Sequence, residues 1–183
     1  MKRKLLILSV LAICIATLAA GTLAYFTAEG KAHNVITTGG VEIAVQEWAD
    51  EARTEPFEDL TGVMPNTTVT KIAEIKNTGA SAAWIRVKVE KSIKLQGDGT
   101  PDTGLVELAL NTADWTEKDG YYYYTKALKP GEVTAPVFTS VTFNATMGNE
   151  YQNATATVNV SAQAVQNANN GATVMDAQGW PNS

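Results

Sequence analysis

The chain has very few of the residues that most often carry catalysis. Its 183 residues include one cysteine, Cys14, and one histidine, His33. Histidine is the commonest general base and transition-metal ligand, yet His33 stands outside any zinc spacing such as H-E-x-x-H. The G-x-S-x-G context of a serine nucleophile is also missing. These absences exclude a histidine-based zinc site within one chain and favour a protein that is not an enzyme.

Positive charge is concentrated at the very start of the chain. Three basic residues at positions 2–4 precede the uncharged run 5–24, which is the order found in secretory signal peptides. Thr22 and Ala24 supply small side chains three residues and one residue before a cut, so we predict a helical signal peptide, residues 1–24, and cleavage before Tyr25. The alternative is an uncleaved membrane anchor, because a span of ~20 apolar residues crosses a bilayer.

The predicted mature chain is acidic and contains no thiol. Cys14 lies in the leader, so disulfides and cysteine-based metal sites are excluded downstream of it. Loss of the leader lowers Lys plus Arg from 14 to 11 against 19 Asp plus Glu, and the formal net charge changes from -5 to -8. Such a surface repels phosphate backbones, which argues against nucleic-acid binding. The remaining length suits one domain.

Alternating apolar and polar residues predict β-strands. The pattern is present in residues 41–46, 85–90 and 156–164, and the last of these carries small inward side chains. Turn residues separate such segments, and no segment shows a helical period with caps. We therefore predict an all-β fold, an antiparallel jelly-roll-like β-sandwich over residues 41–166.

Further segments have the character of turns and loops. Asp119-Gly120 precedes four tyrosines and predicts a type I′ hairpin over residues 115–126. Residues 49–66 are acidic and irregular, which predicts an exposed loop with one helical turn. Residues 167–183 form a polar tail in the prediction. Three apolar residues are available to hold this tail: Val174, Met175 and Trp180.

Two features have a functional interpretation beside a structural one. Asp98 and Asp102 are weak calcium candidates, but the D-x-[DN]-x-[DN]-G pattern is absent and turn chemistry accounts for both residues. We predict no catalytic residue, no metal site beyond these two candidates and no cofactor. The run Tyr121–Tyr124 indicates cross-strand aromatic packing, with an aromatic binding platform as the alternative.

Several short sequences, taken in order, resemble the TasA and camelysin family of exported proteins of Gram-positive bacteria. The resemblance covers most of the chain, although each piece alone is unspecific. The pieces are Gly21-Thr22-Leu23-Ala24-Tyr25-Phe26-Thr27, Asn34-Val35-Ile36-Thr37-Thr38-Gly39-Gly40-Val41-Glu42-Ile43, Lys76-Asn77-Thr78-Gly79, Trp84-Ile85-Arg86-Val87, Asp119-Gly120-Tyr121-Tyr122-Tyr123-Tyr124, Gln163-Ala164-Val165-Gln166 and Trp180. Met64-Pro65-Asn66 departs from the family, in which Pro-Gly is common at this place.

The resemblance implies a jelly-roll-like sandwich, cleavage by a specialised signal peptidase of the SipW type, and assembly into biofilm matrix fibres by donation of an N-terminal strand. Some members are described as metalloproteases, but the chain has no zinc motif for that activity. The sequence is also compatible with a monomeric surface adhesin or ligand-binding module, and with an accessory or anchoring protein of the same matrix.

We expect residues 25–40 to form the exchangeable strand and its hinge, because a free N-terminus can pair with another sheet edge. In this hypothesis the donated apolar side chains are Tyr25, Phe26, Val35 and Ile36, and the hinge is Gly39 and Gly40. The partner is then a second copy of the chain. The alternative is that the same strand folds back into its own sheet.

Overall fold

The alternating segments form strands in two sheets. A computed structural model describes residues 35–37, 41–58 and 65–181, which all belong to one compact unit, His33–Ser183. The strands within these ranges are β1 (Val35–Thr37), β2 (Ile43–Trp48), β3 (Thr67–Asn77), β4 (Ala83–Lys94), β5 (Val106–Leu110), β6 (Trp115–Lys118), β7 (Tyr121–Tyr124), β8 (Phe138–Phe143) and β9 (Thr155–Gln166). The only helices described are single 3-10 turns at Thr103–Leu105, Asn149–Tyr151 and Val174–Asp176. The fold is therefore nearly all β, as predicted.

One sheet has five strands in the order β1-β9-β4-β7-β6, and the other has four in the order β2-β3-β8-β5. All pairings are antiparallel except β1 with β9, which is parallel. The predicted antiparallel arrangement is therefore confirmed for the two sheets, with the β1–β9 pairing as an exception. Periodicity identifies a strand but carries no information about the direction of its neighbour.

The inward faces of the two sheets share one hydrophobic core. From the five-stranded sheet, Ile85 and Val87 of β4 are fully buried, together with Ala162 and Ala164 of β9. From the four-stranded sheet, the core receives its largest fully buried side chain, Phe138 of β8. The period-2 alternation seen in the sequence thus places each apolar set between the sheets.

The hairpin prediction is confirmed. Strands β6 and β7 pair from Trp115 with Tyr124 to Lys118 with Tyr121. Asp119 and Gly120 have φ angles of 53° and 77°, and a type I′ turn needs positive φ at both of these positions. The turn sequence therefore determines the register of this hairpin.

The C-terminal segment lies against the outer face of the five-stranded sheet. Val174 and Ala177 are buried there in a second apolar cluster with Trp84 and Tyr123. The Trp84 indole donates a hydrogen bond of 2.8 Å to the Asn170 carbonyl. Of the three predicted anchors, Val174 and Trp180 pack, whereas Met175 is 37% exposed. Residues 167–181 are thus a folded strap and not a free tail.

Arg86 connects this strap to the sheet. Its guanidinium lies 4.0 Å from the Tyr121 ring centroid and 4.7 Å from that of Trp180. The same group donates to Gln163 Oε1 at 2.7 Å, to the Tyr123 hydroxyl at 3.3 Å and to the Pro181 carbonyl at 3.3 Å. These contacts join β4, β7, β9 and the strap at a single cation.

A buried charge in β4 is predicted to prevent folding. Val87→Asp places an unpaired carboxylate at a position with 0% exposure, at a cost of about 3–5 kcal/mol, comparable with the stability of many domains. We expect loss of the cooperative thermal transition. The control Ser92→Asp adds the same group at an exposed position of the same strand and keeps the transition. A soluble, heat-stable Val87→Asp protein would contradict the assigned core.

The strap is predicted to open when its aromatic anchor is removed. Trp180→Ala deletes the ring that contacts Arg86 and Tyr123, so limited proteolysis within residues 167–181 should become about tenfold faster. Met175→Ala is the matched control, because Met175 is exposed and should leave the rate unchanged. Equal rates for Trp180→Ala and the unmodified protein would show that the strap is held by different contacts.

Candidate functional site

Among the described residues, one edge of strand β9 is paired along its whole length and the other along only three residues. All 12 residues of β9, Thr155–Gln166, are in register with β4. On the opposite edge β1 is in register only with Ala162, Gln163 and Ala164. Among the described residues, none pairs with this edge from Thr155 to Ser161. We call this stretch, Thr155–Ser161, the open edge.

The inward side chains of the open edge border the core between the two sheets. Its inward residue Val160 belongs to the core and is buried, while Ala156 and Val158 are half-buried and pack against the core. The outward residues Thr155 and Asn159 are exposed. An added strand would therefore find backbone donors and acceptors on one side and an apolar surface on the other.

Near its C-terminal end, the β2 edge of the second sheet is covered by the acidic loop. After β2 the chain turns back, so that the Ala49 N–H donates to the Glu55 carbonyl at 2.9 Å and the Phe57 N–H to the Glu47 carbonyl at 3.0 Å. Trp48 and Pro56 form a β-bridge between these two hydrogen bonds. The loop thus occupies the backbone groups that β2 would offer to another chain near its C-terminal end.

Charged contacts hold the acidic loop in this position. Glu74 of β3, which is buried, accepts hydrogen bonds from Trp48 Nε1 at 3.0 Å and from Arg53 Nε at 2.9 Å. Lys71 of β3 pairs with Glu47 at 2.8 Å, and its ammonium lies 3.9 Å from the Phe57 ring centroid.

Within the acidic loop, Asp50 organises the backbone. The Glu55 N–H, followed by the hydroxyl and N–H of Thr54, holds the pKa of Asp50 below its usual value. Acidic residues 51, 55 and 58 are exposed, as predicted, and a hydrogen-bonded turn over residues 50–53 replaces the expected helical turn. Residues 59–64 of the predicted loop lie outside the described residues.

A lysine from the facing sheet occupies a backbone acceptor at the β5 edge. Lys91 Nζ donates a hydrogen bond of 2.6 Å to the Val106 carbonyl at the start of β5. In β4 this lysine lies on the inward face of the strand, between Val89 and Ile93. An inward charge at a sheet edge opposes pairing with another chain, because pairing would remove the ammonium from water.

The β6 edge is short and charged. It spans four residues, of which Thr116, Glu117 and Lys118 are exposed. Glu117 Oε1 accepts a hydrogen bond of 3.2 Å from the Gly120 N–H and so stabilises the turn. Short edge strands that carry charge are poor templates for strand addition. Of the described edges, the open edge of β9 is therefore the best suited to accept a strand.

The structure describes only part of the predicted donor segment. Val35 and Ile36 lie in β1, paired with β9 of their own chain. The remaining predicted residues of the cleavage site, the donor strand and the hinge lie outside the described residues: Thr22, Ala24, Tyr25, Phe26, Gly39 and Gly40. His33 is outside them as well. Over Val35–Thr37 the folded-back alternative is therefore the one observed in this single chain.

The calcium candidates have structural roles or lie on the surface. Asp102 Oδ1 caps the turn Thr103–Leu105 by accepting from the Gly104 N–H at 2.8 Å, and Asp98 lies in an exposed bend. Residues 35–37, 41–58 and 65–181 include no cluster of three or more His, Cys, Asp or Glu that could hold a metal. The calcium hypothesis thus gains no support.

The tyrosine run packs on both sides of its strand. Tyr124 meets Trp115 in the core with ring centroids 5.0 Å apart, and Tyr123 meets Trp180 under the strap at 5.8 Å. Tyr121 lies on Arg86, and burial raises the pKa of Tyr122. The packing interpretation therefore accounts for all four tyrosines.

Within the described ranges, no helix is long and apolar enough to span a membrane. Comparison of the chain with protein-family models, with curated proteins and with solved structures gives no match in any of the three. The resemblance to the TasA and camelysin family, which was drawn from short sequences between Gly21 and Trp180, therefore stays a prediction.

The open edge and Lys91 were not identified from the sequence. The long alternating run of residues 156–164 indicates a strand, but its second neighbour cannot be inferred from the run itself. Lys91 could have been identified from the sequence, because it occupies one of the alternate positions at which Val87, Val89 and Ile93 are apolar. A lysine at such a position indicates a charge directed toward the facing sheet.

Loss of the guarding lysine is predicted to expose β5. Lys91→Met keeps an apolar stem but leaves the Val106 carbonyl without its donor, so we expect concentration-dependent association in sedimentation velocity. Lys94→Met is the matched control, since it removes the same charge from an exposed position of the same strand. If both variants sediment like the unmodified protein, β5 is protected by something other than Lys91.

Proposed function

We propose that this chain is a secreted structural protein that assembles into extracellular fibres, in which the N-terminal strand of one subunit occupies the open edge of the next. The observation that carries the proposal is the unequal pairing of β9, which within the described residues is complete on the β4 edge and short on the β1 edge. The covered or charged edges at β2, β5 and β6 support a single preferred direction of growth.

Strand donation would replace the short pairing of β1 with β9 by a longer pairing, and this difference is the physical basis of the proposal. Within the described residues, the chain's own β1 provides 3 residues of pairing, whereas β9 is 12 residues long. A donated strand would add backbone hydrogen bonds along Thr155–Ser161 and cover the half-buried Ala156 and Val158. Each large apolar side chain that it buries contributes ~1.5–3 kcal/mol, which offsets part of the cost of ordering the segment.

Head-to-tail donation uses different surfaces on the two partners. Donor and acceptor surfaces remain free at opposite ends of each pair, so the contact propagates into a filament. In the proposal the partner is another copy of the chain, and accessory matrix proteins would join through the same kind of contact. The two sheets support a sandwich, and the jelly-roll-like topology that the family resemblance implies remains part of the proposal.

Export is the second part of the proposal. The basic residues at positions 2–4, the apolar run and the small residues Thr22 and Ala24 support cleavage before Tyr25 by a signal peptidase of the SipW type. Cleavage would free Tyr25 and Phe26 at the end of the donor segment. The protein would then act outside the cell, in the matrix or at the cell surface, without catalytic activity or a cofactor.

Deletion of residues 25–38 tests strand donation. We expect the truncated secreted protein to lose filaments in negative-stain images and to keep a cooperative thermal transition, because the core strands β2–β9 remain. A second variant replaces residues 25–34 with a Gly/Ser sequence of equal length, which preserves β1 but removes the donor side chains, and should also lack filaments.

Three outcomes contradict the proposal. Filaments of normal appearance from either variant would show that this segment is not the donor. A monomeric unmodified protein that binds a surface ligand would favour a surface adhesin. Casein cleavage that is abolished by chelator and restored by zinc would favour a metalloprotease.

A further inference from the structure

The segment that precedes β1 has two chemically different faces when it is extended. Its even positions are apolar or small except for Asn34, whereas its odd positions between Tyr25 and Val35 are polar or charged. The even set is Phe26, Ala28, Gly30, Ala32, Asn34 and Ile36, and the odd set is Thr27, Glu29, Lys31 and His33. Because successive side chains of a strand point to opposite faces, the even set, apart from Asn34, is the one suited to burial between the sheets.

In the register of β1, the odd-numbered residues lie opposite core residues of β9. Val35 is opposite Ala162 and Thr37 is opposite Ala164, and both alanines are fully buried. Ile36 is opposite Gln163, which receives the Arg86 hydrogen bond on the outer face. In β1 the odd positions thus occupy the core-facing register.

Continuation of that register along β9 would be costly. Lys31 would come opposite Val158 and Glu29 opposite Ala156, both of which face the core in the open edge. Burial of a charged side chain without a partner costs several kcal/mol, so this register is unfavourable for a long strand.

We propose that the donated strand binds the open edge with its even-numbered face inward, opposite in face to the self-pairing of β1. This inference rests on the proposed function, and its occupant is residues 26–36 of a second copy. A shift by one residue transfers every side chain of a strand to the opposite face. The segment therefore pairs with its own β9 in one register and with the β9 of a second copy in another. Because the two registers differ by one residue, a segment can adopt only one of them at a time.

Such a shift favours exchange of the strand, because more of its apolar residues would face the core. Of the described residues, Val35 and Thr37 lie opposite the buried alanines in the register of β1, whereas the donated register would place Phe26, Ala28, Ala32 and Ile36 on the core-facing side together with Asn34. Glu29 and Lys31 then point outward, where they remain solvated. The polar outward residues of β9, Thr157 and Asn159, are compatible neighbours for these charges.

Cysteine accessibility in the fibre tests the assigned face. In the secreted protein carrying Cys14→Ser, the four single variants Thr27→Cys, Ala28→Cys, Lys31→Cys and Ala32→Cys each contain a single thiol. We expect a maleimide probe to react at least about tenfold more slowly at positions 28 and 32 in fibres than in monomers, with little change at 27 and 31. Each even position has an odd neighbour as its matched control.

The remaining outcomes separate the assigned face from strand donation itself. Slower reaction at 27 and 31 with free reaction at 28 and 32 overturns the assigned face but leaves donation standing. Protection of all four positions overturns the two-faced arrangement only. Fast reaction at all four positions in fibres, or the absence of fibres from the unmodified protein, overturns strand donation and this inference together.

Discussion

The twelve-residue ladder between β4 and β9 sets the constraint on which the rest of the molecule depends. β9 must be long to cover β4 and the core beneath both strands, yet the described strand on its opposite side, β1, is only 3 residues long. A long strand with a short neighbour presents unpaired backbone N–H and C=O groups, and such an edge is a template for pairing with another strand. The proposed assembly follows from this inequality together with the apolar residues beside it.

Electrostatic contacts distinguish this edge from the edges at β2, β5 and β6. Lys91 reaches across the sandwich to β5, the acidic loop is held over β2 by Arg53 and Lys71, and the short β6 carries Glu117 and Lys118. A buried ion pair adds little net stability once desolvation is counted, so such contacts are better understood as devices that specify geometry. Among the described residues, the edge of β9 is the one without such contacts.

Sequence reasoning recovered what local pattern determines. Period-2 alternation located the core strands, and Asp119-Gly120 fixed the β6–β7 hairpin, because both depend on neighbours a few residues away. Contacts between distant segments were missed: Trp84 bonds to Asn170, Arg86 joins four segments, and Lys91 meets Val106. These contacts arise from the packing of whole sheets. The direction of β1 was missed for the same reason.

The central claim is that the open edge becomes paired on assembly, and hydrogen exchange of the β9 amides tests it most directly. In the monomer, those N–H groups of Thr155–Ser161 that point away from β4 should exchange rapidly, whereas those bonded to β4 should be protected. In fibres the first group should become protected to a similar degree. Unchanged rapid exchange in well-formed fibres, or full protection already in the monomer, would contradict strand addition at this edge.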